Sequence, residues 1–223
     1  MSIHPYHNLG DIQLLSVDGT ILMADSWRLA RSSTFFAGLL ALPPPTSTHT
    51  SYPKNLLSLV EPIEVEFFAE VIDLFLNLIN VSRSSISSSA FPQTLDLLEL
   101  CDKYDVNENI QGLVRDRLIM QLEDRQWQLL IWSGQRNDIP MAREALRRMS
   151  PHSFIANTTY ESSRKSVLMP LWYALGKLPQ SWQLEIIRLA FIPSNLNRRP
   201  GVKLYQFEVT GDWDSVSKKF TPK

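Results

Sequence analysis

Cys101 is the only cysteine of the chain and the first residue that could act as a nucleophile, paired with one of four histidines. A reactive thiol needs partial exposure and a cationic neighbour, because the thiolate is the attacking form. Cys101 instead falls on the apolar side of a predicted helix, together with Leu97, Leu98 and Tyr104. Because a buried thiol stays protonated, the pattern favours a structural cysteine.

His4 and His7 stand three positions apart, a spacing at which two histidines can share a metal ion. No cysteine, aspartate or glutamate lies at ligand spacing beside them. A single cysteine also excludes both a Cys-based zinc site and an internal disulfide framework. The sequence therefore favours a flexible N-terminal arm over a metal pair, and we predict no metal and no cofactor.

Two groups of charged residues could do other chemistry. Four glutamates suit acid–base work, but we predict them on the polar face of a helix whose other face is core: Glu61, Glu64, Glu66 and Glu70. Several arginines could bind phosphate: Arg143, Arg147, Arg148, Arg198 and Arg199. The whole chain carries 22 basic and 23 acidic residues, however, and a nucleic-acid binder usually has a basic excess. We predict solvated surfaces, no enzymatic activity and no nucleic-acid partner.

Two patterns exclude further classes of protein. The eight glycines are dispersed, so neither a P-loop nor a dinucleotide-binding fingerprint is present. No apolar run approaches the roughly 18 residues of a transmembrane helix, and the first residues lack the pattern of a secretory signal. We expect an intracellular protein of the cytoplasm or nucleus, with no membrane partner.

The first part of the chain predicts a small sheet and two short helices. Residues 11–17 and 20–24 read as strands around Asp18-Gly19, a pair typical of a type I′ hairpin turn. A third strand is predicted at 56–60. Ser26 and Ser33 suit the N-caps of two short helices, and a proline-rich loop follows from residue 43.

The rest of the chain predicts helices. The apolar spacing gives seven of them, at 63–80, 93–104, 107–123, 125–133, 138–149, 168–176 and 181–192. Four side chains should be core rather than binding residues: Phe68, Ile72, Phe75 and Leu98. The fold class is α+β, a small three-stranded sheet with a helical cluster followed by an all-helical C-terminal extension. The predicted boundaries are an N-terminal arm 1–9, a domain 10–123, the helical extension 124–192 and a polar tail 193–223.

A residue pattern runs through the predicted domain. Asp11 opens the first strand, and Leu29, Ser33 and Phe36 follow with the spacing L-x-x-x-S-x-x-F. The run LLELCDKY at 97–104 then ends in Asp102, Lys103 and Tyr104. Over residues 10–122 the pattern resembles a BTB/POZ domain, most closely that of fungal BTB proteins.

The resemblance implies a non-catalytic protein–protein interaction module that acts as an adaptor. It implies self-association into a homodimer through the first helices, with Trp27, Ala30, Phe35 and Phe36 as the candidate interface. In many relatives a cullin-3 ubiquitin ligase is the further partner, and the alternative is a transcriptional co-regulator scaffold. Dimeric relatives pair the early Asp with a basic residue, where this chain has Ser26.

Two features lie outside the pattern. The serine run 82–89 offers acceptors for phosphorylation, but a plain flexible linker is favoured. Beyond residue 124, four tryptophans stand at helical spacing and are predicted to be mostly core: Trp127, Trp132, Trp172 and Trp182. Because the link at 123–126 has no Gly or Pro, we expect the extension to pack against the preceding domain.

Overall fold

The computed structural model describes residues 2–42, 61–80, 89–150, 171–193 and 207–223. The predicted strand 56–60, the serine segment 82–88 and residues 194–206, with Arg198 and Arg199, lie outside the described residues. The chain divides into two compact units, Met1–Leu118 and Ile119–Lys223.

A four-stranded sheet belongs to the first unit. Its strands are β1 (Ser2–Ile3), β2 (Ile12–Leu15), β3 (Thr20–Ala24) and β4 (Ile63–Glu64), in the order β1-β3-β2-β4. The central strands β2 and β3 are antiparallel, whereas both edge strands pair in parallel with their neighbours. The fold combines helices with a small sheet, compatible with the predicted α+β class, but neither edge strand was predicted.

The hairpin turn between β2 and β3 differs from the predicted type I′ turn. Gly19 has a positive φ of 76°, but Asp18 is not among the residues with positive φ. Gly19 N–H donates to the carbonyl oxygen of Ser16 at 3.0 Å, which leaves a three-residue loop ending in a left-handed glycine. The Asp18 carboxylate is used elsewhere, since its Oδ1 accepts a hydrogen bond from Ala69 N at 3.0 Å.

Residues 2–9 are not the flexible arm that the sequence favoured. Ser2 and Ile3 pair with Thr20 and Ile21 of β3, and the next amide, His4 N, donates to Ile21 O at 2.8 Å. Further on, the carbonyl oxygen of His7 accepts a hydrogen bond from Met23 N. Backbone hydrogen bonds to one strand therefore hold this segment from both ends.

The helices of the first unit follow the predicted order. They are α1 (Ser26–Ser32), α2 (Thr34–Leu40), α3 (Ala69–Asn80), α4 (Phe91–Lys103) and α5 (Glu108–Met120), the last crossing into the second unit. The predicted helix 63–80 begins only at Ala69, because the preceding residues extend the sheet: Val65 N donates to Leu15 O and Val17 N to Phe67 O.

This later helix start explains one wrong prediction about the core. Ile72, Phe75 and Leu98 are buried as predicted. Phe68, which was placed on the same stripe, is 56% exposed. It precedes the first residue of α3, so the helical phase that buries Ile72 and Phe75 does not apply to it.

The second unit contains further helices and a small sheet. Its elements are α6 (Gln126–Arg136), α7 (Ile139–Arg147), α8 (Leu171–Leu175), α9 (Gln180–Ala190), β5 (Phe191–Pro193), β6 (Phe207–Val209) and α10 (Trp213–Lys219). The predicted cap of α7 is confirmed, since Asp138 Oδ1 accepts from Met141 N at 3.1 Å. The extension is not all-helical, because α9 ends at Ala190 and the chain continues into a strand that pairs with β6.

The last residues also differ from the predicted polar tail. Trp213, Val216 and Phe220 are buried, and the Phe220 ring packs edge-on against Trp182 at 5.0 Å between centroids. Trp213 and Val216 lie on one face of α10, and Phe220 directly follows its last residue. No helix in the described ranges is both long and apolar enough to cross a membrane.

Candidate functional site

The predicted interface residues separate into exposed and buried side chains. Trp27 on α1 is 58% exposed and Phe35 on α2 is 43% exposed, while Ala30 is half-buried. Phe36 is only 1% exposed and lies in the core of its own unit, so its assignment to the interface is wrong. The candidate surface therefore consists of Trp27 and Phe35 with the half-buried Ala30 between them in sequence.

The side chain of Asp11, the residue before β2, fixes the start of α1. Asp11 accepts two hydrogen bonds from Ser26, at 2.7 Å from the amide and 2.6 Å from the hydroxyl. The Ser26 hydroxyl bond is the main cause that lowers the pKa of the Asp11 carboxyl. Ser26 is thus not the N-cap that was predicted; a carboxylate from outside the helix satisfies its free N–H group. Asp11 thus has the amide and the hydroxyl of Ser26 as its hydrogen-bond partners.

Arg28 holds α1 against the end of α3 and lies beside Trp27. Its Nη1 donates to the carbonyl oxygen of Asn80 at 2.5 Å, and its Nε lies 3.1 Å from the carboxylate of Asp25. The guanidinium carbon lies 5.1 Å from the centroid of the Trp27 ring. This cation–π attraction favours the observed position of the Trp27 ring. The hydrogen bond to Asn80 holds the helix that carries the ring.

Ser33 forms the corner between α1 and α2. Its hydroxyl accepts a hydrogen bond from Phe36 N at 3.1 Å, which confirms the predicted N-cap of α2. The same hydroxyl donates to the carbonyl oxygen of Tyr104, at the end of α4. One side chain therefore caps one helix and joins it to the end of another.

Other residues of the sequence pattern meet at Tyr104. Its ring stacks on Phe36 with centroids 5.3 Å apart, and its hydroxyl accepts from Glu66 N at 3.3 Å. Lys103 forms an ion pair with the Glu66 carboxylate. The structure thus brings Ser33, Phe36, Lys103 and Tyr104 together, whereas Asp11 lies at the start of α1, Leu29 is buried within α1, and Asp102 is exposed.

The exposed side of α2 carries apolar side chains in addition to the predicted interface residue Phe35. The Phe35 ring rests on Tyr104 at 5.1 Å between centroids, so its outer face alone is open. Leu39 is half-buried and Leu42 is 65% exposed. Phe35 and Leu39 lie on the same face of α2, and Leu42 follows two residues after its end; we call these three residues the α2 stripe. The spacing was visible in the sequence, but only the burial of Phe36 shows which side of α2 is free.

Cys101 is a structural residue, in agreement with the sequence. Its side chain is fully buried, and this burial, with a smaller effect of the Asp102 charge, raises the pKa of the thiol to about 12. The thiol is therefore protonated at neutral pH and is a poor nucleophile.

Among the residues that the structure describes, the two groups of charged side chains do not gather into a shared site. Glu66 pairs with Lys103, and Glu70 accepts a hydrogen bond from Gln93. Glu61 and Glu64 are exposed. In the second unit, Arg147 and Arg148 both pair with Glu144, and Arg143 donates to a backbone carbonyl oxygen.

A third group consists of two histidines considered in the sequence analysis and one aspartate that it missed. His4 and His7 lie beside Asp73 of α3, whose Oδ1 is 3.0 Å from His7 Nε2 and 3.9 Å from His4 Nε2. The two imidazole rings stack with centroids 5.4 Å apart. Asp73 was missed because it comes from a helix far along the chain, so no local spacing reveals it.

Comparison with known proteins supplies no family for the chain: no protein-family model matches it, and no curated protein matches it.

Proposed function

We propose that this chain is a non-catalytic protein–protein interaction module that self-associates through Trp27 and the α2 stripe. The observation that carries the proposal is the exposure of Trp27 and Phe35 on two helices that are otherwise firmly anchored. Large apolar side chains held on rigid elements are typical of interfaces, and tryptophan is enriched among the residues that dominate binding energy.

The anchoring of these helices supports the proposal. Asp11 fixes the start of α1, Arg28 ties it to α3, and Ser33 fixes the corner before α2. A surface that is already ordered loses little conformational entropy on binding. The net charge of −1 is also too small for like-charge repulsion to oppose the association of two copies.

Sedimentation velocity at micromolar concentrations tests the self-association. We expect the wild-type chain to sediment above its monomer mass of 25.6 kDa. The double variant W27A/F35A should weaken the dimer by 100-fold or more, since truncating a central aromatic costs about 2 kcal/mol or more. Trp172→Ala is the matched control, because Trp172 is 61% exposed but lies in the second unit. A wild-type chain that stays monomeric would contradict the proposal, as would equal weakening by the control.

We extend the proposal to the role of an adaptor, with a cullin-3 ubiquitin ligase as the partner to test first. The support for this partner is the resemblance of residues 10–122 to a BTB/POZ domain. Pull-down with a cullin-3 homologue measures this binding for the wild-type chain and for W27A/F35A. The alternative role, a transcriptional co-regulator scaffold, has the same self-association, so identification of the retained proteins by mass spectrometry separates the two.

A further inference from the structure

Three potential metal ligands converge where the N-terminal segment meets α3. His4 and His7 come from the connection between β1 and β2, and Asp73 lies on α3. One ligand atom from each of the three residues lies within 4.8 Å of the others. Two histidines and a carboxylate form a donor set that zinc accepts, with a fourth position left for water.

The separations fit a tetrahedral ion. Ligand atoms about 2.1 Å from a tetrahedral zinc ion stand about 3.4 Å from one another. The two measured separations bracket that value, at 3.0 Å from Asp73 Oδ1 to His7 Nε2 and 3.9 Å to His4 Nε2. The third separation, between the two histidine ligand atoms, is at most 4.8 Å, so the two imidazoles would move closer together on binding.

The buried imidazole of His7 supplies a second, independent observation. His7 is only 8% exposed, and its Nε2 makes no well-directed hydrogen bond within the described ranges. The Asp73 carboxylate is near enough to Nε2 for a hydrogen bond, yet it lies away from the direction in which an N–H would point. A buried polar atom left in this way is costly, and a metal ion between the two groups would satisfy both.

We propose that His4, His7 and Asp73 form a binding site for a divalent zinc-class cation, which fastens the N-terminal segment to α3. The donor set of two nitrogens and one oxygen favours zinc over magnesium or calcium, because those cations prefer oxygen ligands. The backbone already holds both histidines against β3, so the site is preorganised.

Binding requires one local change, at His4. In the structure His4 Nδ1 accepts a hydrogen bond from His7 N at 3.2 Å, so the neutral ring carries its proton on Nε2. Coordination through Nε2 moves that proton to Nδ1, and the bond from the His7 amide is lost. His4 is half-buried and can adjust its position.

Zinc titration of the chelator-treated full chain tests the site. We expect one Zn²⁺ per chain by isothermal titration calorimetry, and little binding of Mg²⁺ or Ca²⁺. His4→Ala and Asp73→Asn should each weaken Zn²⁺ binding by 100-fold or more. Zinc at a hundred-fold excess over its Kd should raise the melting temperature of the wild type by about 5–10 °C. Co²⁺ should give the visible absorption of a tetrahedral complex in the wild type but not in His4→Ala or Asp73→Asn.

Matched controls separate the site from general metal binding and from misfolding. Glu70→Gln removes a carboxylate one turn earlier on α3, and His152→Ala removes a histidine elsewhere in the chain. Both should bind Zn²⁺ within two-fold of the wild type. Melting curves without zinc show whether His4→Ala and Asp73→Asn remain folded. If these two variants fold and bind Zn²⁺ as tightly as the wild type, or if His152→Ala abolishes binding, the proposal is overturned.

Discussion

Arg143 Nε and Nη2 both donate hydrogen bonds to the carbonyl oxygen of Phe220, at 3.1 and 3.0 Å. Arg143 lies on α7 and Phe220 directly follows α10, so the paired bonds join the end of α10 to α7 within the second unit. They satisfy a carbonyl group at a helix end, where the intrahelical partner is lacking. The arginine that suggested phosphate binding thus has a structural role.

Phe220→Ala should destabilise the second unit by about 3–5 kcal/mol, because the ring is fully buried against Trp182 and its removal leaves a cavity. Urea unfolding followed by tryptophan fluorescence measures the loss. Lys219→Ala, at an exposed position of α10, is the control and should change the free energy of unfolding by less than about 0.5 kcal/mol. Equal effects of the two variants would mean that α10 is not docked.

Phe75→Ala and Phe68→Ala test the corrected helix start. Phe75 is 1% exposed and Phe68 is 56% exposed, although both were predicted to be core. We expect a loss of about 3–5 kcal/mol for Phe75→Ala and less than about 1 kcal/mol for Phe68→Ala, measured by denaturant titration. A large loss at Phe68 would show that the side chain is buried in solution.

Gly10→Ala should destabilise the first unit. Gly10 has a φ of 152°, and an added Cβ would lie 2.5 Å from the carbonyl oxygen of Ala24. The strained backbone alone costs about 1–3 kcal/mol, and the contact with β3 adds to it. Thermal unfolding compares it with Gly38→Ala, where nothing lies within 4 Å and the helical position should gain about 0.5–1 kcal/mol. Similar melting temperatures for the two variants would contradict the close approach.

Cys101 should react with a thiol reagent such as Ellman's reagent only when the protein unfolds. Its thiol is fully buried, and its pKa is raised to about 12, so the native chain offers almost no thiolate. The measurement is the release of the coloured product with and without guanidinium. Thr221→Cys adds an exposed thiol and should show one rapid equivalent in the native state. Rapid modification of the wild type would reopen the question of a nucleophilic cysteine.

Local signals in the sequence predicted a good part of the fold. Ser33 and Asp138 are the caps that their residue types indicated, and Ile72 and Phe75 show the predicted helical phase. The last helix was missed although its signal was present: Asp212 precedes apolar residues at helical spacing and caps α10 through the amide of Ser215. Because many polar residues surround this apolar pattern, the sequence was interpreted as a polar tail.

Other features depend on tertiary contacts and leave no local trace. Phe68 is exposed because Phe67 still bonds to the segment just after β2 and α3 begins only at Ala69. The meeting of Asp73 with His7 depends on how α3 lies against the segment that precedes β2. Phe36 was assigned to an interface because its apolar character fits either a core or a surface, and its contact with Tyr104 decides between them.

The bond from Ser33 to Tyr104 spans 71 positions, which has a consequence during synthesis. At 5–20 residues per second, a ribosome needs about 4–14 s to add that many residues. Throughout that time the nascent chain contains Phe36 without the tyrosine ring that covers it. The growing polypeptide is therefore prone to aggregation during this interval. The segment around Phe36 is where we expect a chaperone for nascent chains to bind.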